Sequence, residues 1–148
     1  MKKRCIENAP PSLLINHISK AFSDRMRQKT EAMGMSEGMR KIIFHLKHND
    51  KMTQQELAKR CHLSTPAVSV ALQKMEADGL VLRKHDPTDR RTIHLSLTAA
   101  GSALDRKIIR TIEETEQEML EGVTPEELEA MRPILLKMYK NFSKEGKE

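Results

Sequence analysis

Apolar residues recur at helical spacing along most of this chain, and the repeat is interrupted at a few places by polar caps, glycine and proline. Over 12–33, Leu14, Ile18, Phe22 and Met26 advance in steps of four, which aligns them on one face of a helix. Pro10 and Pro11 mark its entry, and Gly34 can close it. A second helix is predicted over 36–48, with Met39, Ile42, Ile43 and Leu46 turned inward. Thr53 followed three residues later by Glu56 is a capping box: the hydroxyl accepts a first-turn N–H and the carboxylate accepts the N–H of the cap itself. A short helix starts there, with Leu57 and Ala58 inward, and Cys61, His62 and Leu63 end it in a tight turn. Ser64-Thr65-Pro66 opens the next helix, and either hydroxyl can serve as its cap. Its inward positions are Val68, Ala71, Leu72 and Met75.

After Gly79, placed where a helix C-terminus favours positive φ, the period changes from helix to strand. Ile93, Leu95 and Leu97 alternate with Thr92, His94 and Ser96. The preceding Leu80-Val81-Leu82-Arg83-Lys84 supplies a partner strand, and the polar tract 85–90, with one proline and two aspartates, is the turn between them. Arg90 and Arg91 sit at the tip of this hairpin. Beyond residue 98 a long helix carries Leu104, Ile108, Ile112 and Met119 before Gly122 breaks the pattern. Thr124-Pro125-Glu126-Glu127 begins a last helix with a second capping box, and its stripe runs Leu128, Met131, Ile134, Leu135, Met138 and Phe142. Pro133 inside that helix should kink it or shift its turns.

Two short helices followed by a hairpin make a winged helix-turn-helix. The fold class is therefore mainly α with a small β-hairpin wing, a winged helix-turn-helix joined to a helical dimerisation module. Three domains are expected: N-terminal helices over 1–50, a winged helix-turn-helix over 51–98, and C-terminal helices over 99–148. The amphipathic helices at the two chain ends have too little neighbouring core to cover their stripes, which predicts interlocking with a second copy as a homodimer.

Composition narrows the class. The 148 residues include no Trp, 3% aromatic residues and ten Met, so the core must come from Leu, Ile, Val and Met. Charged residues reach 32% and mean hydropathy is −0.59, yet the periodicity of the apolar positions argues against disorder. No apolar run approaches the roughly 18 residues that span a bilayer and no secretory segment is evident, so a cytoplasmic protein without membrane contact is expected. Two cysteines in unlike surroundings do not make a disulfide framework. The net charge of +5 is uneven: Lys+Arg against Asp+Glu is ten to five over 1–50, eight to five over 51–94 and eight to eleven over 95–148. The basic excess thus accompanies the helix-turn-helix.

The candidate chemistry is recognition of double-stranded DNA. The outer face of the second motif helix presents Ser64, Thr65, Pro66, Ser69, Val70, Gln73 and Lys74, short side chains that suit a major groove about 12 Å wide. Gln73 can pair with adenine, and the methyl groups of Thr65 and Val70 can meet thymine. The same surface is compatible with an ordinary solvated helix face, and the wing is what favours DNA. No glycine-rich phosphate loop, H-E-x-x-H motif or serine elbow occurs, and the acidic run Glu113, Glu114, Glu116 and Glu118 winds around its helix, so neither an enzyme nor a cofactor is expected.

Asp89-Arg90-Arg91, then Leu95-Ser96-Leu97-Thr98 and Gly101, resemble the wing signature of the MarR (multiple antibiotic resistance regulator) family, D-x-R followed by L-x-L-T and a glycine. Gly79-Leu80-Val81 with Arg83 is similar to that family's link into the wing, and the resemblance extends over nearly the whole layout. It implies a dimeric, sequence-specific transcription regulator on a palindromic operator, with Arg91 in the minor groove, Asp89 orienting it and Arg90 beside the phosphate backbone. It also implies repression or activation relieved by a small-molecule effector, often an aromatic acid or drug-like anion, held between the helical module and the winged domain. A Met-rich, aromatic-poor lining there would be adaptable rather than specific, but the methionines read more readily as core filler, and no pocket residues are assigned. Oxidation-sensing relatives carry a cysteine early in the first helix, whereas Cys5 precedes Pro10 and Cys61 reads as a small buried hydrophobe. His45 and His48 are spaced to share a metal but lack further ligands at recognisable spacing. The alternative function is a winged-helix interaction module that binds protein or RNA without operator specificity.

Overall fold

The computed structural model describes residues 6–49 and 51–143. Among these, six helices and one two-stranded hairpin follow in the order α1 (Pro11–Glu31), α2 (Glu37–His48), α3 (Gln54–Cys61), α4 (Thr65–Ala77), β1 (Val81–His85), β2 (Ile93–Leu97), α5 (Ala99–Met119) and α6 (Pro125–Ser143). The chain forms two compact units, Met1–Thr115 and Glu116–Glu148, with the division inside α5.

Local chemistry sets the boundaries in the first unit. Ser36 caps α2 by accepting the Met39 N–H at 3.2 Å. At α3 the capping box is complete: Glu56 accepts the Thr53 N–H at 2.8 Å while the Thr53 hydroxyl accepts the Glu56 N–H at 3.3 Å. His62 then turns left-handed with φ 52°, and the Leu63 N–H returns to the Ala58 carbonyl at 3.1 Å. Of the two candidate caps of α4 it is Ser64 that acts, accepting the Ala67 N–H at 3.3 Å. Gly79 takes φ 70° after α4, so that the Leu80 N–H reaches the Met75 carbonyl at 2.8 Å.

The hairpin is antiparallel, with Val81 opposite Leu97, Arg83 opposite Leu95 and His85 opposite Ile93. Leu95 also donates its N–H to the Met52 carbonyl at 2.9 Å, an isolated bridge that fastens the segment before α3 to the wing. Around this joint lies one core, built from α2, α3, α4 and the hairpin, that includes Ile42, Ile43, Leu46, Leu57, Val68, Leu72 and Leu95. Among the described residues five methionines, Met26, Met35, Met39, Met52 and Met75, are buried, and no phenylalanine is. Flexible thioethers thus fill the gaps that aromatic rings would otherwise occupy.

The buried face of α5 differs from the apolar stripe read in the sequence. Gly101, Asp105, Ile108, Thr111 and Thr115 are buried, whereas Ile112 and Met119 are exposed. Threonine satisfies its own hydroxyl by bonding back one turn, Thr111 to the Lys107 carbonyl at 2.9 Å and Thr115 to the Thr111 carbonyl at 2.6 Å, which removes the cost of burying it. At the start of α5, Thr98 donates its hydroxyl to the Gly79 carbonyl at 2.6 Å and accepts the Gly101 N–H at 3.0 Å. Gly101 packs so closely on Leu80 that an added Cβ would overlap the Leu80 carbonyl oxygen. Gly101→Ala is therefore expected to destabilise the fold by about 1–3 kcal/mol, read as a lower denaturation midpoint at unchanged slope. An unchanged midpoint would show that this junction can relax.

In the second unit, Gly122 takes φ 83° and Thr124 with Glu127 forms the expected capping box, at 2.9 and 3.2 Å. The last helix continues through Pro133, so the proline does not end it. None of its residues is buried: Leu128, Met131, Ile134, Leu135, Leu136, Tyr139 and Phe142 are all exposed in the single chain.

Candidate nucleic-acid interface

The α4 face expected to meet DNA is largely open. Thr65, Pro66, Val70 and Gln73 are exposed, with Val70 at 68%. Ser64 is exposed but its oxygen is committed to the cap, which leaves it the hydroxyl proton to donate. Ser69 is half-buried. Lys74 is exposed but folds back, its amine 3.4 Å from the Gly34 carbonyl and 3.9 Å from Asp78, so in the free chain it is committed to the turn between α1 and α2.

The wing is organised by two aspartates with different tasks. Asp86 accepts the Thr88 hydroxyl at 2.7 Å, the Thr88 and Asp89 N–H groups at 2.8 and 3.0 Å, and His94 Nε2 at 2.8 Å. These donors, the Thr88 hydroxyl foremost and His94 next, hold its carboxyl well below the usual carboxylate range. His85 Nδ1 donates to the Arg90 carbonyl at 3.0 Å and closes the turn from the other side. Asp89 accepts the Arg91 N–H at 3.0 Å and the Thr92 hydroxyl at 2.8 Å. Its hold on Arg91 thus runs through the main chain, while the guanidinium groups of Arg90 and Arg91 are exposed and have no acidic partner among the described residues. The roles of Asp86, His85 and His94 were not read from the sequence, although Asp86-Pro87-Thr88-Asp89 carries the signature of an Asx turn.

A depressed carboxyl contributes stability that is fully present above its unfolded value, here 3.8, and is lost only as pH falls through the lower folded value. Wing order is therefore expected to stay constant from neutral pH to about 4 and to decline only in stronger acid. Asp86→Ala is expected to speed hydrogen exchange at the Thr88 and Asp89 amides several-fold at neutral pH. Unaltered exchange would mean that the turn holds without this carboxylate.

The root of the wing is tied to the motif by Arg83, whose Nε lies 2.6 Å from Glu76 at the end of α4 and whose Nη1 lies 3.3 Å from Gln54 at the start of α3. The hairpin is thereby braced against α4 and the start of α3.

Other candidate chemistry receives less support. Cys61 is buried, which pushes its thiol up and away from the reactive thiolate; Cys5 lies outside the described residues. His45 is held below the ordinary range by burial and by the charge of Arg60, His48 Nδ1 engages the Phe44 carbonyl at 2.7 Å, and no group of three metal-ligating side chains occurs among the described residues. Among those residues no helix is long and apolar enough to cross a membrane. A cavity of about 500 Å³ lies among α1, α2 and α5, walled by Phe22, Met26, Phe44, Ile108, Ile109 and Ile112 with Arg40 and Lys41 at its edge. Two of the chain's three phenylalanines and one methionine line it, whereas Met35, Met39, Met52 and Met75 lie in the core.

A profile of the MarR family matches residues 41–92, the segment from within α2 to the residue before the second wing strand. The homoprotocatechuate degradative operon repressor of Escherichia coli is 31% identical over 101 residues, 68% of each chain. The chain belongs to the MarR family. It is therefore a member of a family of transcriptional regulators rather than of enzymes. An HTH-type transcriptional regulator of Bacillus subtilis, YdgJ, is 26% identical over 139 residues, 94% of this chain and 83% of that one. The fold matches MepR, a transcription regulator of the Staphylococcus aureus multidrug efflux pump MepA, with TM-score 0.81 and 26% identity over 90% of this chain and 99% of that one. A MepR mutant bound to an oligodeoxyribonucleotide matches with TM-score 0.69 and 27% identity over 91% and 99%. This MarR-family chain thus shares its winged-helix architecture with a protein solved on DNA.

Proposed function

We propose that this protein is a cytoplasmic repressor that binds a palindromic operator as a homodimer and is released by a small-molecule effector. The observation that carries the reading is the pairing of an open α4 face with a braced wing whose tip arginines, Arg90 and Arg91, have no acidic partner among the described residues. In this reading Thr65, Val70 and Gln73 read bases in the major groove, with Ser64, Pro66 and Ser69 fitting the helix end against the duplex. Lys74 exchanges the Gly34 carbonyl for a phosphate, Arg90 lies along the backbone, and Arg91 enters the minor groove, where narrow A·T-rich segments concentrate negative potential.

The exposed apolar residues of α6, and Leu13, Ile15 and Ile18 on α1, support a second copy as their cover. A two-fold dimer then places two recognition helices on half-sites about one helical turn apart. The aromatic-walled cavity among α1, α2 and α5, edged by cations, supports an amphiphilic anion as the effector. Repression is the activity named for the E. coli relative, and it is the direction proposed here.

Titrating a duplex into the protein at several salt concentrations tests this function against a module that binds protein or RNA. Log affinity should fall linearly with log salt, by about 0.9 per phosphate neutralised, while one duplex sequence stays preferred throughout. Binding without sequence preference at every salt would favour the interaction module. Gln73→Ala is expected to relax preference at one base position per half-site, by about 1–3 kcal/mol of discrimination. An unaltered profile would mean that Gln73 reads no base.

A further inference from the structure

We propose that the cavity between the root of the wing, the end of α2 and the start of α5 is an oxyanion site for a phosphate group. It measures about 460 Å³ and is separate in character from the aromatic-walled cavity, although Lys47 and Asp105 border both. From the wing come Lys84 and Ser96, and from α5 come Ser102 and Arg106. Lys84 lies opposite His94 and Ser96 opposite Leu82, which puts Lys84 and Ser96 on one face of the hairpin. Ser102 and Arg106 are one helical turn apart and so share a face of α5.

The balance of charge along this wall is what makes it a site. Asp105 is the single carboxylate among the lining residues, and it is already neutralised by Lys47 Nζ at 2.7 Å. Lys84 and Arg106 have no acidic or carbonyl partner among the described residues, and the hydroxyls of Ser96 and Ser102 have none there either. Two positive charges and two uncommitted hydroxyls therefore border one cavity. Like charges brought to one cavity repel, and an oxyanion between them removes that repulsion. A planar guanidinium fork, a mobile ammonium and two hydroxyls are the donor set that a tetrahedral phosphate accepts from.

Lys84 belongs to the wing and Arg106 to α5, so a phosphate held by both fastens the wing to that helix. Where the wing also binds DNA, anion and duplex must alter each other's affinity by the same factor. The phosphate has two sources, a free phosphate or phosphomonoester and a backbone phosphate of the bound duplex.

Inorganic phosphate titrated into the full chain by calorimetry, with chloride adjusted to constant ionic strength, tests the site. Saturable binding is expected, weakened about tenfold or more in Lys84→Gln/Arg106→Gln and preserved in Lys51→Gln/Lys59→Gln, which removes two charges elsewhere. Circular dichroism and thermal melting confirm that both double variants fold. The salt dependence of duplex binding distinguishes the sources. A slope reduced by about 1.8 in Lys84→Gln/Arg106→Gln assigns the site to two contacts with the duplex backbone. An unchanged slope, with duplex affinity that responds to added phosphate, assigns it to a free anion. The proposal is overturned if the two double variants behave alike, or if the wild-type chain neither binds phosphate saturably nor loses slope in Lys84→Gln/Arg106→Gln.

Discussion

Leu135→Glu/Tyr139→Glu is expected to leave the chain monomeric and to lower its affinity for a palindromic duplex by about 100-fold or more, the scale by which joining two binding modules raises avidity. Leu135 and Tyr139 are one turn apart on α6 and are 43% and 70% exposed in the single chain, beside Ile134 and Phe142 at 59% and 83%. Side chains already open to water do not hold the chain's own core together, so glutamate there should leave helicity intact. Within a dimer seam the same glutamates would be buried without partners, which is strongly unfavourable. Sedimentation alongside duplex titration checks both halves of the prediction. A variant that stays dimeric would place the dimer contact elsewhere, and a monomer that binds the palindrome as tightly as wild type would remove the need for a dimer.

Arg91→Ala is expected to weaken duplex binding about tenfold, by a similar factor across many sequences, and to reduce the salt slope by about 0.9. The guanidinium has no acidic partner among the described residues, so its removal is expected to take away a DNA contact without breaking an ion pair there. Asp89→Ala should reproduce part of the loss, because Asp89 accepts the Arg91 N–H at 3.0 Å and so sets where the guanidinium starts from. Gel-shift titrations over a salt series measure both effects. Unchanged affinity in Arg91→Ala would refute the minor-groove role, and a full-strength Asp89→Ala would show that the wing tip does not need its turn.

Legibility in the sequence followed the range of the interactions. Thr53 with Glu56, Thr124 with Glu127, Gly79 and Gly122 act on backbone groups within four residues, and each does in the structure what its spacing predicts. The inward positions of α4 and α2 were equally readable, since one side of each packs on a shared core. The threonines buried on α5 escaped because a buried threonine that bonds back to its own helix looks polar in a hydropathy pattern. Contacts spanning many residues escaped for another reason: Arg83 with Glu76 and Gln54, Lys74 with Gly34, and the cavity that gathers Phe22, Phe44 and Ile108 depend on how the helices pack. The candidate base-reading and wing residues could be placed on their elements from sequence, but the commitments of Ser64 and Lys74 within the free chain could not.

Dimeric operator recognition is decided by selecting bound duplexes from a random pool and measuring the mass of the bound species in the same preparation. One enriched palindrome is expected, with half-sites about one helical turn apart and two chains per duplex. Enrichment of no sequence, or of a single half-site bound by one chain, would contradict it.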